Sequence, residues 1–130
     1  MKINGLNSAA VQIFDANVKK GFYVKPREIG TLLMLCVSEI SEALEADRKS
    51  KIANVHSLSV FIRNGLDCNV DSVFKAEFES HIKDTFEDEI ADTIIRLLDL
   101  CGYKNIDIEK HIELKLRYNE TREHMHGKLY

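Results

Sequence analysis

Glu39-Ile-Ser-Glu42 and Glu89-Ile-Ala-Asp92 are the stretches of this chain whose residue types and spacing could do chemistry. On a helix, acids three residues apart project from one face. Leu35, Glu39, Glu42 and Ala46 follow one helical stripe. Ile82, Phe86, Glu89, Thr93 and Leu97 follow another, with Asp92 at its edge. An acid inside an apolar stripe is costly to bury without compensation, and four acids converging from two helices repel one another. A hard divalent cation removes both problems. Carboxylate oxygens are the ligands that Mg²⁺ takes, with Mn²⁺ an alternative. The bland reading is two solvated helix faces, since Glu is a good helix former. What weighs against it is the recurrence of the pair on a second, largely apolar stripe.

A stripe of opposite chemistry lies further along. Lys115, Asn119 and Arg122 fall at i, i+4 and i+7, and His124-Met-His126-Gly-Lys128 forms a basic tail. Two cations and an amide can donate to phosphate or base oxygens, although an ordinary solvated face has the same look. Carboxylates together with such a stripe suggest a metal-bound polyphosphate. No GxxxxGK[ST] occurs, so a cation rather than a glycine-rich cradle would carry a nucleotide. A di-iron bundle is a competing reading, but it requires E-x-x-H on two helices. The chain has only Glu123-His-Met-His126, near its C-terminus. Arg96 is a further cation, able to neutralise a carboxylate or touch phosphate, or to stay on the surface.

The elements that must position these residues read as helices. The chain has 130 residues, 45% hydrophobic and 30% charged, with one proline and six glycines. Strand-like alternation is scarce. These features predict a single all-α domain over residues 1–130 with a real core. One helix is expected after Asn7 or Ser8 up to Lys20, with Gly21 just past its end. A second opens at Pro26 and runs to Arg48, packing through Leu33, Val37, Ile40 and Leu44. A third spans Asp71 or Ser72 to Cys101, broken near Ser80 or His81 and stopped by Gly102. A fourth starts at Asp107. Residues 49–72 form an excursion between the acid pairs, with a short helix from Ile52 towards Gly65. The aromatics of Phe22-Tyr23 either join the core or flank a base.

Composition also excludes some classes. A net charge of −3 with mixed signs gives no footprint for duplex nucleic acid. No apolar run reaches the roughly 18 residues of a membrane span, and no signal-peptide pattern is present. Cys36, Cys68 and Cys101 form no CxxC, which suits reduced thiols in a cytoplasmic protein.

Three stretches carry a resemblance. They are Leu35-Cys-Val-Ser-Glu-Ile-Ser-Glu-Ala-Leu-Glu-Ala-Asp-Arg48, Lys83-Asp-Thr-Phe-Glu-Asp-Glu-Ile-Ala-Asp-Thr93, and Lys115-Leu-Arg-Tyr-Asn-Glu-Thr-Arg122 with His126-Gly-Lys128. The chain resembles the MazG-related all-α nucleoside triphosphate pyrophosphohydrolases. That family's signature is an E-x-x-E helix followed by an E-x-x-D helix. The resemblance implies a bundle of four to five helices and Mg²⁺-dependent cleavage between the α and β phosphates, giving a nucleoside monophosphate and pyrophosphate. It implies that Glu39, Glu42, Glu89 and Asp92 hold the metal, and that Glu39 or Glu42 also orients or deprotonates the attacking water. Lys115, Asn119, Arg122 and Lys128 would contact the nucleotide, and the assembly would be a homodimer or a dimer-based tetramer. The chain departs from the pattern at Ser38, where many members carry a further acid, and in the longer stretch from Ala43 to Asp88. The alternatives are a non-catalytic helical dimerisation or binding module, and a related dUTPase-like or phosphoribosyl-ATP pyrophosphohydrolase.

Overall fold

A computed structural model describes residues 3–56 and 71–122. These contain five helices and no strand: α1 Leu6–Lys19, α2 Ile29–Arg48, α3 Asp71–His81, α4 Phe86–Tyr103 and α5 Ile108–Glu120. The all-α expectation holds. No helix among the described residues is long and apolar enough to cross a membrane. The expected short helix from Ile52 to Gly65 lies mostly outside the described residues. The chain divides into two compact units. Described residues up to Arg27 and from Leu97 onward form one, and those from Glu28 to Arg96 the other.

In the first unit, Ala9, Ala10 and Ile13 of α1 form a core with Leu98 and Cys101 of α4, and Ile108 packs against it. Small residues set the approach. A Cβ on Gly102 would meet the Ala10 carbonyl oxygen and the Phe14 Cβ, both at 2.6 Å. Gly102 therefore does not stop the helix, as the sequence predicts, but admits α1. The stop falls at Asn105, with φ 51°, where Ile106 N donates to Cys101 O at 2.9 Å. Gly21 does play its expected part. Its φ is 85°, and the bonds Gly21 N to Val18 O and Phe22 N to Asn17 O close α1 in a Schellman arrangement.

The N-termini of α1 and α5 cap each other. Asn7 does not cap its own helix. Its Oδ1 accepts from Ile108 N at 2.9 Å and from Glu109 N at 3.3 Å. The Glu109 carboxylate in turn accepts from Leu6 N at 2.7 Å and Asn7 N at 3.3 Å. Four amides that each helix would leave unpaired are thereby satisfied across the pair. Asp107 is the N-cap of α5, as expected, accepting from Lys110 N. Tyr23 joins Phe14 and Tyr103 in an aromatic cluster and donates to Asp99 Oδ2 at 2.6 Å, so it is half-buried against its neighbours, whereas Phe22 is exposed. Burial and the Asp99 carboxylate push the Tyr23 hydroxyl well above its ordinary range.

In the second unit, α2 begins at Ile29 rather than Pro26, with Glu28 extended at its N-cap. The Arg27 amide is drawn off to the Tyr103 hydroxyl instead of opening a helix. The buried stripe of α2 is Leu32, Cys36, Glu39, Ala43 and Ala46. The expected packing stripe of Leu33, Val37, Ile40 and Leu44 is instead about half exposed. The buried side of α2 carries Cys36, Ala43 and Ala46 beside Leu32 and Glu39, while the larger aliphatics lie on the neighbouring, outward stripe. The break expected near His81 is real. Ile82 N and Lys83 N both bond Phe78 O, Asp84 takes φ 59°, and Thr85 Oγ1 accepts from Asp88 N at 3.4 Å. Residues after α2 pin this corner, with Asn54 N bonded to His81 O and Phe86 N to Lys51 O, both at 2.9 Å.

Gly102→Ala should destabilise the protein by about 2 kcal/mol or more, because the added methyl meets backbone. Gly30, in α2, has nothing within 4 Å of an added Cβ. Gly30→Ala should therefore stabilise by up to about 1 kcal/mol. Urea denaturation of both variants checks the pair, and equal effects would refute the close approach of α1 on Gly102.

Candidate functional site

Helix α2 contributes Glu39 and Glu42, and α4 contributes Glu89 and Asp92. Glu39 is 6% exposed and Glu89 5%, so both carboxylates lie in the interior. One carboxylate oxygen each from Glu39, Glu89 and Asp92 lies within 4.8 Å of the others. Glu42 is exposed and stands at the rim of the same cavity as those three. Its Oε1 accepts from Ser38 Oγ at 3.3 Å.

The buried stripes explain the placement. Glu39 falls within the Leu32, Cys36, Ala43 and Ala46 row of α2. Glu89 continues the buried line of Ile82, Thr85 and Thr93. Phe86 and Leu97, which the sequence reading adds to that line, are exposed. Thr93 bonds the Glu89 carbonyl at 2.9 Å and so buries its own hydroxyl without competing for the carboxylate.

The cluster is short of positive charge. Arg96, one of the ambiguous cations of the sequence, donates from Nε to Glu39 Oε1 at 2.6 Å, with Nη2 also on that oxygen. It serves one acid. Burial, the Glu42 charge and a hydrogen bond to Glu39 push Glu89 up to about 7. Burial, followed by the Asp88 and Glu39 charges, also raises Asp92. Carboxylates that need a counter-charge, converging from two helices, form a donor set that fits a hard divalent cation.

Of the remaining predicted residues, Lys115, Asn119 and Arg122 lie in the other unit. Lys115 and Asn119 are on α5, and Arg122 follows its end. Lys115 Nζ sits 5.0 Å from the centre of the Tyr118 ring. Asn119 is half-buried, and its carbonyl accepts from Arg122 N. Lys128 is outside the described residues, as are His124 and His126.

Several residues at the site escape a sequence reading. The cavity holding the acids has a volume of about 430 Å³ and is also bordered by Phe74, Phe78 and Lys75 of α3 and by Lys83. A smaller recess of about 300 Å³ adjoins Glu42 and Glu89 and is bordered by Lys49 and Lys51. The only signal in the sequence is the Phe74, Phe78 pair at i, i+4 on a helix lacking a full apolar stripe. Comparison with family models, curated proteins and solved structures gives no match to this chain.

The Glu89 proton has a measurable consequence. The folded carboxyl keeps its proton to about pH 7, whereas an unfolded one releases it near 4.5. In this window the folded state binds more protons, so stability falls as pH rises. The contribution is full below about pH 4.5 and lost through pH 7, on the order of 3 kcal/mol. Glu89→Gln should flatten this slope in chelator-treated protein, read by urea denaturation at pH 5 and pH 8. Millimolar Mg²⁺ at pH 8 should raise the wild-type Tm and leave that of Glu89→Gln nearly unmoved. Equal slopes and equal Mg²⁺ responses in the two proteins would refute the cluster.

Proposed function

We propose that this chain is a Mg²⁺-dependent nucleoside triphosphate pyrophosphohydrolase of the MazG-like, all-α kind, working in a reducing cytoplasm where Cys36 and Cys101 stay thiols. The observation that carries the reading is the meeting of Glu39, Glu89 and Asp92 carboxylates from two helices, two of them buried and short of counter-charge. Glu39, Glu42, Glu89 and Asp92 would hold the cation. When bound, it would offset the phosphate charge and draw electron density from the reacting phosphoryl group.

The chain's own residues divide the remaining tasks. Glu39 is held by Arg96 and suits a fixed ligand. Glu42 is exposed, and among the described residues it is bonded through one oxygen to Ser38, so its other oxygen would orient a water and accept its proton. Water would attack the α-phosphorus, the bond from that phosphorus to the bridging oxygen would break, and the pair of products would be monophosphate and pyrophosphate. Lys115, Asn119, Arg122 and Lys128 enter as nucleotide contacts on the family resemblance.

Self-association belongs to the same reading. Leu33, Val37, Ile40 and Leu44 repeat at spacings of four and three along α2, and each is about half exposed. This is the spacing of a helix seam. A second copy of the chain, presenting the same uncharged stripe, is the occupant proposed. The stripe also favours a second reading, a helical dimerisation module without catalysis. That module would keep the dimer and show no turnover.

Purified protein with Mg²⁺ and a panel of nucleoside triphosphates should yield monophosphate and pyrophosphate from at least one of them by product chromatography. Asp92→Asn should lower kcat by a factor of at least 100 with helicity intact. Diphosphate plus phosphate as products would refute α–β cleavage, and no turnover across the panel would leave the dimerisation module. In light scattering, Ile40→Glu should convert a dimeric or tetrameric wild type towards monomer. An unchanged mass would remove the α2 stripe from the interface.

A further inference from the structure

The acids are flanked by two recesses of different character. Both include Glu42, Asp84 and Glu89 in their linings, so the acid cluster is their common wall. Phe74 and Phe78 are among the residues lining the larger, and Lys49 and Lys51 among those lining the smaller. We propose that the two recesses sort the halves of the substrate across the acid cluster: Phe74 and Phe78 form a stacking platform for the nucleobase, while Lys51, with Lys49, receives the pyrophosphate end. The proposal rests on the pyrophosphohydrolase reading and deepens it.

Helix α3 has no buried residue, and Phe74, 44% exposed, lines the cavity. A ring so placed is accessible to a ligand in that cavity. Phe74 and Phe78 lie one helical turn apart, with ring centres 6.0 Å apart and planes tilted by 39°. They therefore offer two adjoining apolar surfaces. Base-to-aromatic stacking is worth about 1–3 kcal/mol per base and makes no demand on base identity, because every base has a π face. Phenyl rings carry no donor or acceptor. This wall would give affinity for a nucleoside without selecting among bases.

The phosphate end needs cations that the acids have not consumed. Lys75 and Lys83, at the aromatic recess, pair with Glu79 at 3.8 Å and Asp84 at 3.0 Å. Lys49 pairs with Glu45 at 2.8 Å, across exposed side chains where such a pair contributes little and yields readily. Lys51 forms no ion pair among the described residues. Its backbone is fixed at both ends, with Lys51 N bonded to Ala46 O and Lys51 O accepting from Phe86 N, each at 2.9 Å. A pinned lysine with no ion pair among the described residues, lining the same recess as Glu42 and Glu89, is where a departing polyanion would be stabilised. The ordinary role of such lysines is to complement the C-terminus of α2. That role predicts an effect on stability and none on phosphate binding.

Calorimetry with the full chain and Mg²⁺ tests the sorting. The probes are the α,β-methylene analogues of ATP, GTP, CTP and UTP, and inorganic tripolyphosphate, which lacks a base. Phe74→Ala should weaken the tightest analogue about tenfold and leave tripolyphosphate unchanged, and Phe74→Tyr should restore the loss. Lys51→Ala should weaken both kinds of probe by a similar factor. If Phe74→Ala proves unfolded by circular dichroism, Phe74→Leu takes its place, keeping bulk without a π face. Analogue binding that is unchanged by the Phe74 variants, or a loss shared equally with tripolyphosphate, would overturn the platform while the pyrophosphohydrolase reading stood. Lys51→Ala without effect on either probe would overturn the phosphate end. A wild type that binds neither analogue nor tripolyphosphate would remove the pyrophosphohydrolase reading itself, and the proposal with it.

Discussion

The unit from Glu28 to Arg96 depends on keeping two carboxylates, Glu39 and Glu89, inside it. Buried like charges at this separation cannot both remain ionised without help. Three kinds of help are available. Arg96 bonds Glu39, and burial beside the Glu42 and Glu39 carboxylates shifts Glu89 towards its protonated form. The third, a divalent cation, would act on the same oxygens. A site that holds a proton where a cation fits is set up to exchange one for the other, and this couples metal affinity to pH and to folding. An interior of apolar residues in these positions would be more stable and would do nothing. The cost of the acids is the strongest physical reason to read them as functional.

The rest of that unit can be understood as support. Cys36, Ala43 and Ala46 keep the buried side of α2 slim around Glu39. The corner between α3 and α4 is fixed by Thr85, by the left-handed Asp84 and by two backbone bonds from the segment after α2. That corner sets where α4 begins, and so on which face Glu89 and Asp92 emerge. The other unit is stabilised in a more ordinary way. Small residues let α1 meet Gly102, and the reciprocal bonds of Asn7 and Glu109 satisfy the first amides of two helices at once.

The functional proposal joins these facts to the two recesses. Acids alone repel a polyphosphate, so a cation and flanking lysines must bring it in. The aromatic side and the lysine side of the acid wall then give the substrate a direction. In this view the long stretch between the acid pairs, which departs from compact members of the resembled family, is where the chain supplies the contacts that α2 and α4 lack.

The sequence by itself determined the helical class, the two acid pairs, the break before Phe86 and the turn at Gly21. Each of these is written in short-range terms: period, spacing, and residues with a known backbone preference. Tertiary structure alone decided the rest. Periodicity says that a helix has a face but not what the face will meet, so the expected packing stripe of α2, the one with the larger aliphatics, is about half exposed. Gly102 looked like a stop because glycine is permissive, yet its lack of a Cβ is used against α1, a contact more than ninety residues away in sequence. Arg96 finds Glu39 across 57 positions, and Phe74 reaches the acid cavity from a helix with no motif of its own. Partners that distant are chosen by how the helices pack, and no local pattern records that choice.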